Sequence, residues 1–485
     1  MATRHSILAI LVGVLVAVAI VVITLPAPVS NVLPTAWSAA SRSCNPCAVT
    51  SNAQDVFELD LVNITSNGTF NYLLNAYNWS TGDEAWPSVG LGIGDGFAFF
   101  QSGQQLAYAA LFADAGAVAV VAIGNSASVA GQSSSLNSSA GACVVWVLEW
   151  NSSAGSALPT QQSDSSVGCG LPQAYVTASD GWIAVATLSP FAANVRLSTF
   201  PLGPASPAYE AWSTNVSLLP SPPPEVLFAA ISLSGGVVSL STMGLGARTA
   251  VLNGSSGRLI WEGAIPDLYT VPESTNSSAI PQTEGLPRYI VQAGGSFYFI
   301  GNDTAGVFLD RFDYSTNVTA SLANLTGRID PLNCQLTLTT TGVLVVTDAW
   351  NEHYWAYSTA GSPLWNLSLS LRQTASTGAT NVGGIDFSPV QAGGDLLIGS
   401  VFSWSSSNYE NNNYPSSTWT VPLALVSSST GVVSWRSSYT QTETLGPNAF
   451  SPETYLPMVA QGPFVAFIYY PGSGLGWTLT VAHFS

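Results

Sequence analysis

Four copies of one short pattern decide the fold of this chain: STGDEAW at residues 80–86, SSGRLIW at 255–261, TAGSPLW at 359–365 and SSTGVVSW at 428–435. In each copy a turn of small residues contains Gly, and Trp follows four positions later. Gly tolerates the positive φ of a tight turn, and Trp favours the strand that follows. A fifth copy, AYEAW, lacks the Gly. We therefore expect repeated strands whose indole side chains are wedged between sheets: Trp86, Trp212, Trp261, Trp365 and Trp435.

A second pattern repeats through the same region. A Gly turn precedes an apolar run that alternates with a period of two, and this period is typical of a strand. The turns recur at an average interval of about 58 residues, which indicates a repeat architecture with units larger than those of a short-period solenoid. The glycines concerned are Gly116, Gly181, Gly236, Gly295, Gly342, Gly394 and Gly462.

The two patterns together predict an all-β fold, a β-propeller of four-stranded blades over residues 55–485. A lone sheet cannot bury both of its faces, so repeated sheets pack side by side around a ring. We count about seven blades, within a range of six to eight, because copies near Gly155 and Asn317 are degenerate and an extra strand pair surrounds Gly96. The C-terminal strands lack a final Gly-x-x-x-Trp strand, so we expect the N-terminal strand at 72–86 to complete their sheet.

The strands SSGRLIW, TAGSPLW and SSTGVVSW resemble the repeat of pyrroloquinoline-quinone-type (PQQ-like, WD40-like) β-propellers. That family contains quinoprotein dehydrogenases and also non-catalytic propellers that scaffold or bind. The resemblance implies that a dehydrogenase would need calcium-ligating oxygens and usually a vicinal disulfide, whereas this chain has no two adjacent cysteines. The expected relationship is therefore to the non-catalytic branch, and we predict no cofactor, no metal site and no catalytic residue.

The amino terminus carries a membrane signal. Residues 7–25 are apolar and uncharged, and a helix of this length rises about 28 Å, close to the bilayer core of about 30 Å. Arg4 precedes this run and the next cation is Arg42, so the bulk of the chain is expected outside the cell. We predict a single-pass signal-anchor helix within residues 1–25, an extracytoplasmic stalk over 26–54 and the propeller beyond it. A cleaved signal peptide is the alternative, and it also exports the body.

Potential modifications agree with export. The chain contains an excess of N-x-Ser/Thr sequons, which are glycosylation candidates in exported proteins: Asn63, Asn67, Asn78, Asn137, Asn151, Asn215, Asn253, Asn276, Asn302, Asn317, Asn324 and Asn366. Ser- and Thr-rich turns also generate sequons by chance. Cys44, Cys47, Cys143 and Cys169 are disulfide candidates in an oxidising compartment, and Cys334 is left over.

Composition excludes several functions. The formal net charge is −17, which repels nucleic acid. All ten basic residues are Arg, so P-loop lysines and Schiff-base lysines are absent from the sequence. Charged residues make up only 8% and hydrophobic residues 47% of the chain, the opposite of a disordered charged polymer.

Two segments contain candidate ligand-binding residues. Asp348, Asn351, Glu352 and His353 form the densest polar cluster, and such side chains can bind a metal or transfer protons. The alternative is an ordinary hairpin with polar tips in water. Between residues 403 and 419, Trp404, Tyr409, Tyr414 and Trp419 offer aromatic faces suited to sugar rings, or else form an exposed loop between two strands.

The sequence thus predicts a membrane-anchored, extracytoplasmic propeller that binds a surface protein or a glycan and acts as a cell-surface scaffold. The alternative is an extracytoplasmic enzyme, either a quinoprotein-like dehydrogenase or a glycoside-acting protein. Carboxylate neighbours such as Asp83/Glu84 and Asp310/Asp313 raise the glycosidase option, but neighbours on a strand point to opposite faces.

Overall fold

The structure is a computed structural model, which describes residues 35–40, 48–66, 68–94, 99–102, 105–107, 109–114, 116–129, 132–134, 142–168, 173–188, 195–203, 210–217, 228–243, 248–268, 289–329, 334–348, 353–369, 380–386, 389–392, 394–406, 416–444, 458–469 and 478–483. The predicted anchor at residues 7–25 lies outside these ranges. Within them no helix is long and apolar enough to cross a bilayer.

All regular elements in the described residues are strands. In chain order they are β1 (Thr35–Ala40), β2 (Ala48–Ser51), β3 (Asp55–Ile64), β4 (Phe70–Asn78), β5 (Glu84–Gly94), β6 (Phe99–Ser102), β7 (Gln105–Ala107), β8 (Ala110–Ala113), β9 (Ala117–Gly124), β10 (Ser126–Val129), β11 (Gln132–Ser134), β12 (Ala142–Asn151), β13 (Gln161–Gly168), β14 (Gln173–Ser179), β15 (Trp182–Leu188), β16 (Val195–Pro201), β17 (Trp212–Val216), β18 (Phe228–Ser234), β19 (Val237–Met243), β20 (Thr249–Asn253), β21 (Leu259–Gly263), β22 (Ile290–Ala293), β23 (Ser296–Asp303), β24 (Gly306–Asp313), β25 (Val318–Asn324), β26 (Cys334–Leu338), β27 (Val343–Asp348), β28 (His353–Ser358), β29 (Pro363–Ser368), β30 (Thr380–Asp386), β31 (Val390–Ala392), β32 (Asp395–Ser406), β33 (Ser416–Ser427), β34 (Val433–Thr444), β35 (Met458–Gln461), β36 (Phe464–Tyr469) and β37 (Thr478–His483).

These strands form eight sheets, and the chain is an all-β, eight-bladed β-propeller. Naming the strands of a blade A to D from the axis outward, blades 1 to 8 are β2–β5, β8/β9/β12/β13, β14–β17, β18–β21, β22–β25, β26–β29, β31–β34 and β35/β36/β37/β1. Innermost strands of neighbouring blades contact each other, as β18 contacts β22 and β22 contacts β26. The contact between β35 and β2 closes the ring.

The blade count is eight rather than about seven, and the reason is chemical. All seven glycines of the second pattern lie in the A–B turns of blades 2 to 8. Blade 1 makes the same turn without Gly, because the Asn52 Oδ1 accepts backbone N–H groups of Gln54 and Asp55 at 2.8 Å. The strands after Gly96 are not a blade, because β6 pairs in parallel with β14 at the inner edge of blade 3.

The closing blade joins both ends of the described chain. Strand β1 pairs antiparallel with β37 and supplies the outer strand of blade 8. The strand at 72–86 expected for this place lies instead within β4 and β5 of blade 1. Residues 35–40 and 48–51 of the expected stalk therefore belong to sheets. The Gly-x-x-x-Trp pattern does not identify β1, because Trp37 has no Gly four residues before it.

Apolar clusters fill the space between neighbouring blades. Phe57 and Leu59 of blade 1 pack with Val120 and Trp146 of blade 2, and all four are essentially buried. Equivalent clusters lie at the other seams that the structure describes, including the one between blades 8 and 1. Since fully burying one large apolar side chain contributes about 1.5–3 kcal/mol, the seams supply much of the folding free energy.

A recurring contact joins neighbouring blades at their seams. An indole at the start of one outer strand donates its Nε1–H to a backbone carbonyl in the C–D turn of the next blade, and its ring covers the Gly of that turn. The pairs are Trp37 with Trp79 O and Gly82, Trp86 with Ser152 O and Gly155, Trp212 with Gly254 O and Gly257, and Trp365 with Ser428 O and Gly431. Gly and Trp of one sequence copy therefore serve two different seams.

Three other seams use different side chains. Between blades 2 and 3, Gln161 takes the place of the indole and donates Nε2–H to Pro201 O at 2.7 Å. Between blades 4 and 5, Trp261 packs on Phe312 with ring centroids 5.2 Å apart. Between blades 5 and 6, Leu322 lies against Gly361. Trp435 of blade 7 is buried.

Candidate binding face

The two faces of the ring differ. The A–B and C–D turns all lie at one face, which we call the tight-turn face, and in several blades the two turns are hydrogen-bonded to each other. The bonds are Trp79 N to Gln54 O, Ser152 N to Gly116 O, Leu202 N to Gly181 O, Gly254 N to Gly236 O and Ser428 N to Gly394 O, at 2.7–3.3 Å. The longest of these connections are residues 152–160 in blade 2 and 202–211 in blade 3, and the others are short.

The opposite face carries the B–C and D–A connections, and we call it the long-connection face. Both candidate segments of the sequence analysis belong to it: residues 349–352 connect β27 to β28 in blade 6, and residues 407–415 connect β32 to β33 in blade 7. The ends of β27 and β32, from which these segments start, therefore lie at the same face of neighbouring blades. The sequence does not show that the two segments share a face, because they lie in different repeats and their position depends on the direction of the strands.

In blade 6 the predicted polar cluster separates. Asp348 ends β27 in register with His353, and its side chain is fully buried rather than at a tip in water. His353 is half-buried, and its ring meets Trp355 edge-on at 5.5 Å. Asn351 and Glu352 lie outside the described residues. Asp348 thus belongs to the interior of the ring, and His353 is the described member of the cluster that borders the face.

Blade 7 projects beyond its neighbours. Strands β32, β33 and β34 have 12 residues each, about 40 Å at 3.3 Å per residue, roughly twice the length of an ordinary strand. β31 pairs with the first residues of β32, and β30 pairs with its distal half, so the sheet stays four strands wide along its length. This arrangement raises a twisted sheet above the long-connection face.

The aromatic candidates lie at the distal end of this projecting sheet. Register pairs Trp404 with Thr418 and Ser403 with Trp419. Cross-strand partners share a face and successive residues alternate, so Trp404 and Trp419 occupy opposite faces of the sheet. Tyr409 and Tyr414 lie outside the described residues.

Carboxylates that adjoin in sequence do not converge. Asp313 caps the C–D turn of blade 5, where its Oδ1 accepts the Ser315 hydroxyl at 2.6 Å, Thr316 N at 3.1 Å and Ser315 N at 2.9 Å, and these bonds lower its pKa. Asp310 is buried, and burial raises its pKa to about 6, with Asp267 and Asp303 adding to the rise. The two carboxyl groups therefore have separate structural roles.

The described ranges contain only some of the residues that bear on metal and disulfide chemistry. They contain no group of three or more His, Cys, Asp or Glu side chains arranged to hold a metal ion. Cys44, Cys47 and Cys169 lie outside them. Cys143 belongs to β12, where the preceding Ala142 pairs with Gly168, the residue before Cys169. That register keeps a Cys143–Cys169 disulfide as a prediction.

The glycosylation candidates fall into two structural groups. Asn78, Asn151 and Asn253 begin C–D turns and use Oδ1 to accept hydrogen bonds from the hydroxyl of their own sequon, Ser80, Ser153 and Ser255, at 2.7–2.8 Å. A second group has exposed side chains on strands and turns: Asn63, Asn215, Asn302, Asn317, Asn324 and Asn366. Asn67, Asn137 and Asn276 lie outside the described residues. Part of the sequon excess thus reflects a turn that needs Asn.

Comparison with known proteins finds similarity to solved structures at low identity. No family model matches the chain, and no curated protein matches it. Among solved structures, BamB from Moraxella catarrhalis is 11% identical with a TM-score of 0.41, and the alignment covers 94% of this chain and 98% of that one. Sqt1 from Saccharomyces cerevisiae is 10% identical with a TM-score of 0.43, covering 94% and 100%.

The quinohemoprotein alcohol dehydrogenase from Comamonas testosteroni is 9% identical with a TM-score of 0.37, covering 95% of this chain and 78% of that one. All three are β-propeller proteins. Identities and scores this low imply no shared activity, because one propeller fold hosts many functions.

Proposed function

We propose that this chain is a membrane-anchored, extracytoplasmic scaffold whose propeller binds a surface protein or a glycan through the long-connection face. The asymmetry of the ring carries the proposal. At one face hydrogen bonds join the A–B and C–D turns of five blades, whereas the other face bears the connections of blades 6 and 7 and the projecting sheet. Binding surfaces on rigid scaffolds are commonly built from such connections.

The chemistry of the projecting sheet favours uncharged ligands. Its distal residues are largely Ser, Thr and aromatic, as in SVFSWSS at 400–406 and SSTWTVP at 416–422. Aromatic faces and hydroxyl groups suit sugars and polar protein surfaces, while the net charge of −17 disfavours polyanions. The apolar segment at residues 7–25 supports attachment to a membrane.

The test uses the full chain in lipid nanodiscs over a panel of immobilised oligosaccharides and over purified cell-surface proteins of the source cell. Trp404→Ser and Trp419→Ser are compared singly, because they alter opposite faces of one sheet. We expect one of them to abolish binding and the other to retain it. Ala154→Ser, in the C–D turn of blade 2 at the tight-turn face, is the control and should bind normally. Loss of binding in the control, or none in either Trp variant, contradicts the assignment.

The enzyme alternative is tested separately. Full chain mixed with pyrroloquinoline quinone and calcium should show no saturable change in the quinone absorbance if the propeller is a scaffold. A stoichiometric spectral change would favour the dehydrogenase.

A further inference from the structure

We propose that the tight-turn face lies against the lipid bilayer, with the outer rim of blades 4 to 7 in shallow contact with the membrane surface. This inference rests on the proposed membrane anchor and adds the orientation of the ring. It makes the bilayer a second partner of the propeller, distinct from any ligand of the long-connection face.

The direction of β1 is the first argument. β1 runs antiparallel to β37, and Trp37, close to its start, touches Gly82 in the C–D turn of blade 1. Thr35 therefore begins the strand at the tight-turn face. Nine residues, 26–34, separate Thr35 from the apolar segment, and an extended chain of that length spans at most about 32 Å. The anchor must leave the propeller from the tight-turn face, and its short spacer holds that face near the bilayer.

Exposed apolar side chains give the second argument. Among the described residues, seven large hydrophobic side chains are exposed. Five of them lie within three residues of the Gly or Asn of a C–D turn, in four consecutive blades: Leu259, Ile260, Val318, Leu364 and Val432. The other two, Val62 and Ile64, end β3 at the opposite face. An aliphatic residue repeated at one rim of adjacent blades forms an apolar arc suited to the headgroup–acyl boundary.

The polar groups beside this arc are compatible with a membrane surface. The central residues of these C–D turns are uncharged, Ser255–Ser256, Ser315–Thr316, Thr359–Ala360 and Ser429–Thr430, although Asp313 begins the turn of blade 5. Arg258, next to Leu259, adds a cation where anionic headgroups would lie. A chain with so large a negative charge is repelled by anionic lipid, and the uncharged centres of these turns reduce that repulsion at this rim.

The test is site-specific photocrosslinking in the full chain. A benzophenone amino acid replaces Val432 or, as the matched control, Ile64, whose exposed fractions are 55% and 52%. Each variant is reconstituted into vesicles of phosphatidylcholine with a minor fraction of phosphatidylglycerol, floated on a density gradient and irradiated. We expect lipid adducts at position 432 several-fold above those at position 64. A second variant pair, at Val318 and Val62, repeats the comparison at another blade.

The outcomes separate the two claims. A chain that does not float with the vesicles lacks the anchor, and both the proposed attachment and the orientation are then wrong. A chain that floats but gives equal lipid adducts at the two positions, or more at position 64, keeps the anchor and refutes the orientation. Adducts at position 432 that join two copies of the chain would show that a second propeller, rather than lipid, covers the arc.

Discussion

Trp365 donates its indole Nε1–H to the backbone carbonyl of Ser428, 2.8 Å away, and so joins the outer strand of blade 6 to a turn of blade 7. The ring of the same indole lies over Gly431, whose φ is +71°. This pairing explains why the sequence repeats Gly and Trp together. The Gly leaves space for the indole of the preceding blade, while the Trp four residues later docks on the following one.

Replacing Gly431 with Ala should destabilise the seam more than the same change at an open turn. A Cβ at Gly431 would lie 2.8 Å from Trp365 Cγ, whereas a Cβ at Gly342, with φ of +78°, meets nothing within 4 Å. We expect Gly342→Ala to cost about 1 kcal/mol from backbone strain, and Gly431→Ala about 2–4 kcal/mol because the indole must move. Thermal unfolding followed by Trp fluorescence measures both. Equal losses would contradict the role assigned to the Gly–indole contact.

Closure of the ring should depend on Trp37. Its Nε1–H bonds to Trp79 O at 2.7 Å, and its ring packs on Tyr77 with centroids 5.7 Å apart. Removing a large packed aromatic side chain typically costs about 3–5 kcal/mol, so Trp37→Ala should release β1 from blade 1. Hydrogen exchange should then accelerate in β37, which loses its outer partner strand.

Ser38→Ala is the control for this prediction, because Ser38 is exposed on the same strand and faces no seam. Its exchange pattern should match that of the unmodified chain. If Trp37→Ala leaves exchange in β37 unchanged, the closing blade does not rely on this indole.

Sequence patterns predicted the turns and strands that depend on one particular residue type. Glycines before alternating apolar runs marked the A–B turns of blades 2 to 8, and Gly–Trp spacing marked the outer strands of blades 1, 4, 6 and 7. Prediction failed where a different side chain has the same structural role. Asn52 caps the A–B turn of blade 1 in place of Gly, and Gln161 replaces an indole in the hydrogen bond between blades 2 and 3. A pattern search for Gly and Trp cannot detect substitutes that share only a hydrogen-bonding role.

The candidate site shows the same limit. Sequence selected the residues around 348–353 and 403–419 by composition, but their common face follows from strand direction in neighbouring blades. Burial of Asp348 and the opposite placement of Trp404 and Trp419 depend on register. A shift of one residue would reverse both, and composition contains no information on register.

Sequons that build turns should differ from exposed ones. Asn253 Oδ1 accepts Ser255 Oγ–H and Ser256 Oγ–H, each at 2.8 Å. Asn253→Gln should therefore cost about 1 kcal/mol even without a glycan, because the longer side chain cannot cap this turn.

The exposed Asn324 at the end of β25 should carry glycan when the chain is exported, whereas Asn317, beside Val318 on the membrane-facing rim, should not. Glycopeptide mass spectrometry and thermal unfolding measure the two effects, and a glycan at Asn317 would contradict the proposed orientation.

Asp310 should make the fold more stable in acid than at neutral pH. Burial, reinforced by Asp267 and Asp303, raises its pKa from 3.8 to about 6. The folded state therefore holds this proton more tightly than the unfolded chain does. The stabilisation is fully present below about pH 4 and is lost as the pH rises through about 6, with a total of about 3 kcal/mol. Burial also raises the pKa of Asp55 and Asp395, so these groups act in the same direction.

Asp310→Asn imitates the protonated carboxyl and should remove much of this dependence. The melting temperature of the unmodified chain should fall between acidic and neutral pH, and that of Asp310→Asn should fall less. Asp313→Asn is a control of opposite sign, because hydrogen bonds from Ser315 and Thr316 lower the pKa of Asp313 and its contribution is lost as the pH falls. If the melting temperatures of Asp310→Asn and of the unmodified chain change equally with pH across this range, Asp310 does not take up a proton on folding and the proposed pKa shift is contradicted.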